Sequence, residues 1–214
     1  MRELEMALAG CVEAHQGLLA SLDGLTDEVA ASPSLLPGWS IGHVLTHIAR
    51  NADSFVRLTA AATEGRVVPQ YEGGMAARNA EIDAGAGRGA GALVADVRDS
   101  AAALDACWAA APEAVWAFTG ETALGPALLS ELPVRRWREV SVHRSDLGLG
   151  STPADWPNAY VRIDLPRLTM LWASRRPMGL TTLPPEALAA SPQMRLAWLL
   201  GRATIDGLEP AGVL

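Results

Sequence analysis

Apolar residues return at helical spacing in four separate stretches of the first 150 residues, and alternating runs rich in β-branched residues are scarce there. This pattern restricts the fold more than any other feature, because a stripe of side chains every three to four residues is best buried against other helices. From Arg2 to about Ala31 the stripe is Leu4, Leu8, Cys11, Val12, Leu18, Leu19, Leu22 and Leu25, and "SPSLLPG" then breaks it. Ser40 can cap a second helix, in which Ile41, Val44, Leu45, Ile48, Ala52, Phe55 and Val56 lead to about Ala62. Pro69 and the pair Gly73-Gly74 mark a long loop before "MAARNAEID", and a third helix is expected from Ala90 to Ala111. The fourth covers about Ser130 to Leu147, with Pro133 in its first turn, where a missing N–H costs little.

The expected fold is therefore mainly α, a four-helix bundle with a small C-terminal α+β extension. "GLGSTPADWPNAY" is the best boundary and divides the chain into residues 1–150 and 151–214. The second part is expected to hold helices around Ala159 to Ala173 and Gln193 to Thr204, with "PMGLTTL" as its one plausible strand.

Composition narrows the function classes. The 214 residues are 50% hydrophobic and 19% charged, which is the make-up of a folded globular protein. The net charge is -7, there is no lysine, and the 17 arginines are scattered apart from Arg135, Arg136 and Arg138. Nucleic acid binding needs a basic face, and none is visible. The missing lysine also excludes Schiff-base chemistry through a lysine amine. Cys11 and Cys107 stand far apart among alanines and aliphatics and read as reduced core thiols. "MRELEMALAGCVEAHQG" lacks the basic flank and apolar stretch of a signal peptide, and no run is long enough to span a bilayer. A cytoplasmic protein without a membrane partner is expected.

The fourth helix carries "RRWREVSVHRSDLG", in which Glu139 and His143 are four apart. Four residues turn an α-helix by about 400° and lift it by roughly 6 Å, so the carboxylate and the imidazole emerge one above the other. The chain has only four histidines, and besides His143 two of them, His43 and His47, lie in the second helix. An imidazole from helix two could meet the Glu and His of helix four as three ligands with an open position, the arrangement of a catalytic zinc site. Such a pair also arises on solvated or salt-bridged faces, so the spacing leaves both readings open. His15 reads as an exposed or hydrogen-bonded histidine. Trp39, Trp108, Trp116 and Trp137 read as core fillers.

"LLPGWSIGHVLTHIARNADSF" followed by "ELPVRRWREVSVHRSDLG" resembles the mycothiol-dependent maleylpyruvate isomerase family, whose N-terminal part is a DinB-like metal-binding four-helix bundle. The likeness includes "ARNAEI" at Ala77 to Ile82. It implies a zinc ion held by His47, at the end of the GH-x-x-x-H pattern, and by Glu139 and His143 of the R-E-x-x-x-H pattern. It leaves His43 a supporting place beside the cofactor. Asp146 matches H-x-x-D and would orient a ligand or receive a substrate hydrogen bond. "RLAWLLGRATIDGL" looks like the family's closing segment, so that Arg202 would serve cofactor and substrate, with Arg78 as a second partner for a carboxylate.

The activity that the resemblance implies is zinc- and mycothiol-dependent isomerisation of maleylpyruvate to fumarylpyruvate, as in the degradation of aromatic compounds. Neither cysteine is placed to act as nucleophile, so the thiol would come from the cofactor. Its thiolate would add to the cis double bond, allow rotation and leave again. An S-transferase using the same thiol, or a non-catalytic metal-binding bundle, are the alternatives. The expected partners are a small-molecule substrate and a low-molecular-weight thiol, and a monomer is compatible with both. Family members usually carry a larger α+β C-terminal domain than the 60 or so residues left here.

Overall fold

Leu22 and Leu25 keep the apolar phase of the first helix, yet that helix stops at Ser21. The computed structural model, which describes residues 2–176 and 182–213, divides the expected segment into α1 (Arg2–Ser21) and the short α2 (Asp27–Ala31). Gly24 adopts φ 74° between them, and Thr26 starts the new helix by accepting a hydrogen bond from the Val29 N–H. A left-handed glycine followed by an N-cap residue outweighs a continuous stripe.

The second long helix, α3 (Ile41–Thr63), begins at Ser40 as expected. Ser40 Oγ accepts from the His43 N–H, while His43 Nδ1 accepts from the Ser40 N–H at 3.2 Å. This is a capping box in which an imidazole takes the place usually held by Glu or Gln. "MAARNAEID" is itself helical, in α4 (Gly74–Ala86), and α5 (Ala90–Ala109) follows. Next comes a hairpin, β1 (Thr119–Thr122) and β2 (Gly125–Leu128), antiparallel with Thr119 opposite Leu128 and Thr122 opposite Gly125. α6 (Leu132–Asp146) takes Pro133 in its first turn.

The four long helices of this part close a ring: α3 packs on α5 and α6, and α1 on α6 and α5. Leu18, Leu45, Ile48, Leu93 and Val140 meet in its interior with no exposed surface. Each such side chain contributes about 1.5–3 kcal/mol of burial. Two glycines set how close the helices come. A side chain at Gly10 would strike the Trp137 indole, and one at Gly42 the Ala86 carbonyl, which presses α4 against the start of α3.

The chain forms two compact units, Met1–Leu149 and Gly150–Leu214. The second contains α7 (Asn158–Ser174), α8 (Pro185–Ala189) and α9 (Pro192–Leu199), with the Trp172 and Trp198 rings 6.3 Å apart in its core. α9 ends earlier than the expected Thr204 because Gly201 takes φ 69°. No strand occurs among the described residues of this unit, and most of the expected strand "PMGLTTL" lies outside them. Among the described residues no helix is long and apolar enough to cross a membrane.

Candidate metal centre

On α3, His43, His47 and Asn51 follow one another at four-residue steps; on α6, Arg136, Glu139, His143 and Asp146 follow at steps of three, four and three. Both series stay on one face of their helix, and the two helices pack together. The faces meet at His47, Glu139 and His143. His47 Nε2 lies 3.0 Å from Glu139 Oε2 and 3.0 Å from His143 Nε2, and His143 Nε2 lies 3.2 Å from the same carboxylate oxygen. Three ligands bound to one tetrahedral zinc at about 2.0–2.1 Å stand roughly 3.3 Å apart, so this triangle fits the ion almost without rearrangement. The residues of the triangle form the one group among the described residues with the composition and spacing to hold a metal.

The outer partners orient the rings. His143 Nδ1 donates to Asp146 Oδ2 at 2.8 Å, which directs Nε2 into the triangle. Burial works against a charge on His143, but the bonds to Asp146 and Glu139 outweigh it and raise its pKa to about 9. Burial has the upper hand at His47, against the pull of Glu139, and lowers that ring to about 4. Glu139 would be raised by burial, yet the hydrogen bonds from His143 and His47 hold it well below the usual carboxylate range. At neutral pH the triangle is therefore a carboxylate, a neutral imidazole and an imidazolium. His47 Nδ1 accepts from Arg78 Nη2 at 2.7 Å, so its own proton sits on Nε2.

His47 and Glu139 of the triangle line a cleft of about 200 Å³. Asn51, Tyr71, Arg78 and Met75 line it, together with Arg135, Arg138 and Leu124 at the hairpin turn. Gln70 fixes this wall: its Nε2 donates to Ser54 Oγ on α3 and its Oε1 accepts from the Ala123 N–H of the hairpin. The Arg78 guanidinium lies 5.9 Å from the ring centres of both Trp39 and Tyr71. A cleft lined by arginines suits an anionic ligand.

Of the residues singled out from the sequence, His47, Glu139, His143, Asp146 and Arg78 come together here. His43 stands one turn away with Nδ1 engaged by Ser40, its Nε2 3.9 Å from Asp83 Oδ1. Arg202 belongs to the second unit, just past α9, where its Nη1 donates to the Leu200 carbonyl. His15 is the hydrogen-bonded histidine of the two alternatives, buried and bonded to Asp105 and Arg136. Two expectations need correcting. Trp39 and Trp116 are only half-buried; Trp39 packs on the edge of the core, its ring centre 5.6 Å from that of His47. Cys107 is only half-buried, while Cys11 is a core thiol that burial pushes upward in pKa. Asn51 and Gln70 escaped the sequence reading, although Asn51 continues the step from His43 to His47.

The comparison with known proteins agrees with this geometry. The family model described as the mycothiol maleylpyruvate isomerase N-terminal domain matches residues 11–148, which include all three ligand candidates. Among solved structures, a mycothiol-dependent maleylpyruvate isomerase superposes with a TM-score of 0.84 at 28% identity, covering 94% of this chain and 90% of that one. A histidine-to-alanine mutant of a mycothiol-dependent maleylpyruvate isomerase superposes with a TM-score of 0.75 at 31% identity, covering 80% and 72%. No curated protein matches by sequence. A bundle that brings His47, Glu139 and His143 to one point, matched over most of its length by that family model, belongs to the mycothiol-dependent maleylpyruvate isomerase family.

Proposed function

We propose that the protein is a zinc- and mycothiol-dependent maleylpyruvate isomerase, converting maleylpyruvate to fumarylpyruvate. The observation that carries this reading is the triangle of His47, Glu139 and His143, two of which line a cleft shared with Arg78, Arg135 and Arg138, in a chain of this family. His47, Glu139 and His143 would hold the zinc, whose Lewis acidity keeps a thiol ionised at neutral pH, and mycothiol would supply the sulfur that adds reversibly to the cis double bond.

The chain's own residues have simpler tasks. Asp146 keeps the His143 lone pair aimed inward. Arg78, held between two aromatic rings, is suited to grip a substrate carboxylate with two hydrogen bonds. Arg202 is proposed to serve substrate and cofactor from the second unit, and His43 supports the cofactor side through its tie to the α3 cap. Cys11 is buried and its thiol resists ionisation, so it is a poor nucleophile. An S-transferase would use the same centre, and a non-catalytic bundle would turn over neither substrate.

Zinc-loaded protein incubated with mycothiol should turn maleylpyruvate into its trans isomer, with no accumulation of a thiol adduct. Accumulated conjugate from a generic electrophile, without isomerisation, would favour the transferase. Arg202→Ala should keep its zinc while kcat/KM falls by the equivalent of about 1.5–3 kcal/mol. Unchanged kinetics in that variant would remove the second unit from the proposed chemistry.

A further inference from the structure

One helical turn from the metal triangle lies a second polar cluster that the proposed reaction does not use. Arg136 sits at its centre with no exposed surface. Its Nη1 donates to the Ile48 carbonyl and to Asn51 Oδ1, both at 2.8 Å, and its Nε donates to His15 Nε2 at 3.0 Å. His15 in turn donates from Nδ1 to the Asp105 carboxylate at 3.0 Å. Ile48 and Asn51 belong to α3, His15 to α1, Asp105 to α5 and Arg136 itself to α6. A single guanidinium thus links all four long helices at one level.

The location of this level matters. Asn51 comes one turn after His47 on α3, and Arg136 comes one turn before Glu139 on α6. The Nη1 fork therefore spans the same two helices as the metal ligands, directly beside them. Arg136 is also a costly way to fill a core. Its hydrogen bonds reach neutral groups only, and its Nη2 is buried with no partner. A buried cation of this kind is often replaced by an apolar side chain of similar volume with no loss of stability. Packing alone gives no reason to keep it.

We infer that Arg136 is a positioning residue of the metal centre: its fork to Ile48 and Asn51 fixes the spacing of α3 and α6, and with it the triangle of His47, Glu139 and His143. The inference rests on the metal reading above. Outer partners that hold ligands in place commonly account for about 10- to 100-fold in metal affinity. Lysine can replace the fork only in part, because a single ammonium does not reproduce its planar, divergent donors.

Cobalt(II) tests this through binding and colour, independent of turnover. In the full-length protein, Arg136→Met should weaken cobalt affinity by about 10- to 100-fold and should weaken and broaden the tetrahedral visible bands. Arg136→Lys should recover part of both. A folded Arg136→Met protein with the affinity and spectrum of the unaltered chain would overturn the inference, whatever its melting temperature. If Arg136→Met does not fold, Asn51→Ala decides, since it cuts one tie to α3 and leaves the cation beside His15: weaker cobalt binding supports the inference and unchanged binding overturns it. Failure of the unaltered protein to bind cobalt would overturn the metal reading itself, and this inference with it.

Discussion

The two polar clusters between α3 and α6 differ in how their hydrogen bonds end. Around Arg136 donors meet acceptors: guanidinium to imidazole, imidazole to carboxylate, guanidinium to amide and carbonyl. Around Glu139 three potential ligand atoms converge instead, two imidazole N–H groups on one carboxylate oxygen, with sides of 3.0, 3.0 and 3.2 Å. Folding alone completes the first cluster. The second is held together by protons in positions that a cation would take. A buried polar group is stable when matched, and a convergent set of ligand atoms is useful because a cation can take the place of the protons that match it.

Removing one corner should break this contrast most sharply. Glu139→Gln removes the only carboxylate of the triangle, and zinc affinity should fall by more than about 100-fold. Metal analysis after dialysis should find the variant nearly zinc-free while circular dichroism shows the helices intact. Retention of stoichiometric zinc would mean that the metal binds elsewhere.

Stripping zinc from the unaltered protein should have a smaller effect, with a defined pH dependence. At a zinc concentration 100-fold above Kd the ion adds about 2.7 kcal/mol. That corresponds to roughly 5–10 °C in Tm for a chain of this size. His143, raised to about 9, stabilises the stripped protein fully below its unfolded pKa of 6.5, and this contribution fades as the pH rises through 9. His47 and Glu139 are shifted downward, so they act on the acid side, where stability is lost as the pH falls. Zinc must displace the His143 proton. Uptake near pH 7.5 should therefore release close to one proton, measurable by calorimetry in buffers of different ionisation heat. The Tm difference between loaded and stripped protein should widen from pH 6 to 9, and a difference that narrows would contradict the assignment of His143.

The smallest effect is expected farthest from the triangle. Asp105→Asn leaves an oxygen to accept from His15 and removes only the charge, so it should cost about 1 kcal/mol. Zinc content should not change. Thermal denaturation with metal analysis separates this outcome from any loss of the centre.

Periodic segments and the pairs four residues apart were legible in the sequence. α3, α5 and α6 lie where the apolar stripes place them, and the three candidate ligands that the family motifs name on two of these helices converge. Elements with weak patterns were not legible. In α4 only Ile82 and Ala86 are buried, too few to draw a stripe, and its position depends on the close approach of Gly42 to Ala86. "TGET" and "GPAL" show no strand-like alternation of apolar residues, and their pairing depends on a two-residue turn closed by Gly125 at φ 99°. The Arg136 cluster was hidden for another reason. Charged residues in "RRWRE" suggest a surface, and only packing reveals that the second arginine faces inward with Trp137 and Val140.

The hydrogen bond from Arg78 to His47 sets a choice at the far edge of the imidazole. A cation that takes the Nε2 lone pair forces the ring's single proton to Nδ1. There it would face the Arg78 N–H across 2.7 Å, donor against donor. A neutral His47 can thus serve the metal or the arginine, but not both. Loading the centre would release Arg78 from the ring while Trp39 and Tyr71 still flank its guanidinium within the cleft. On the proposed reading one side chain would set the order of events: the arginine would become free to take a carboxylate only after a metal had arrived.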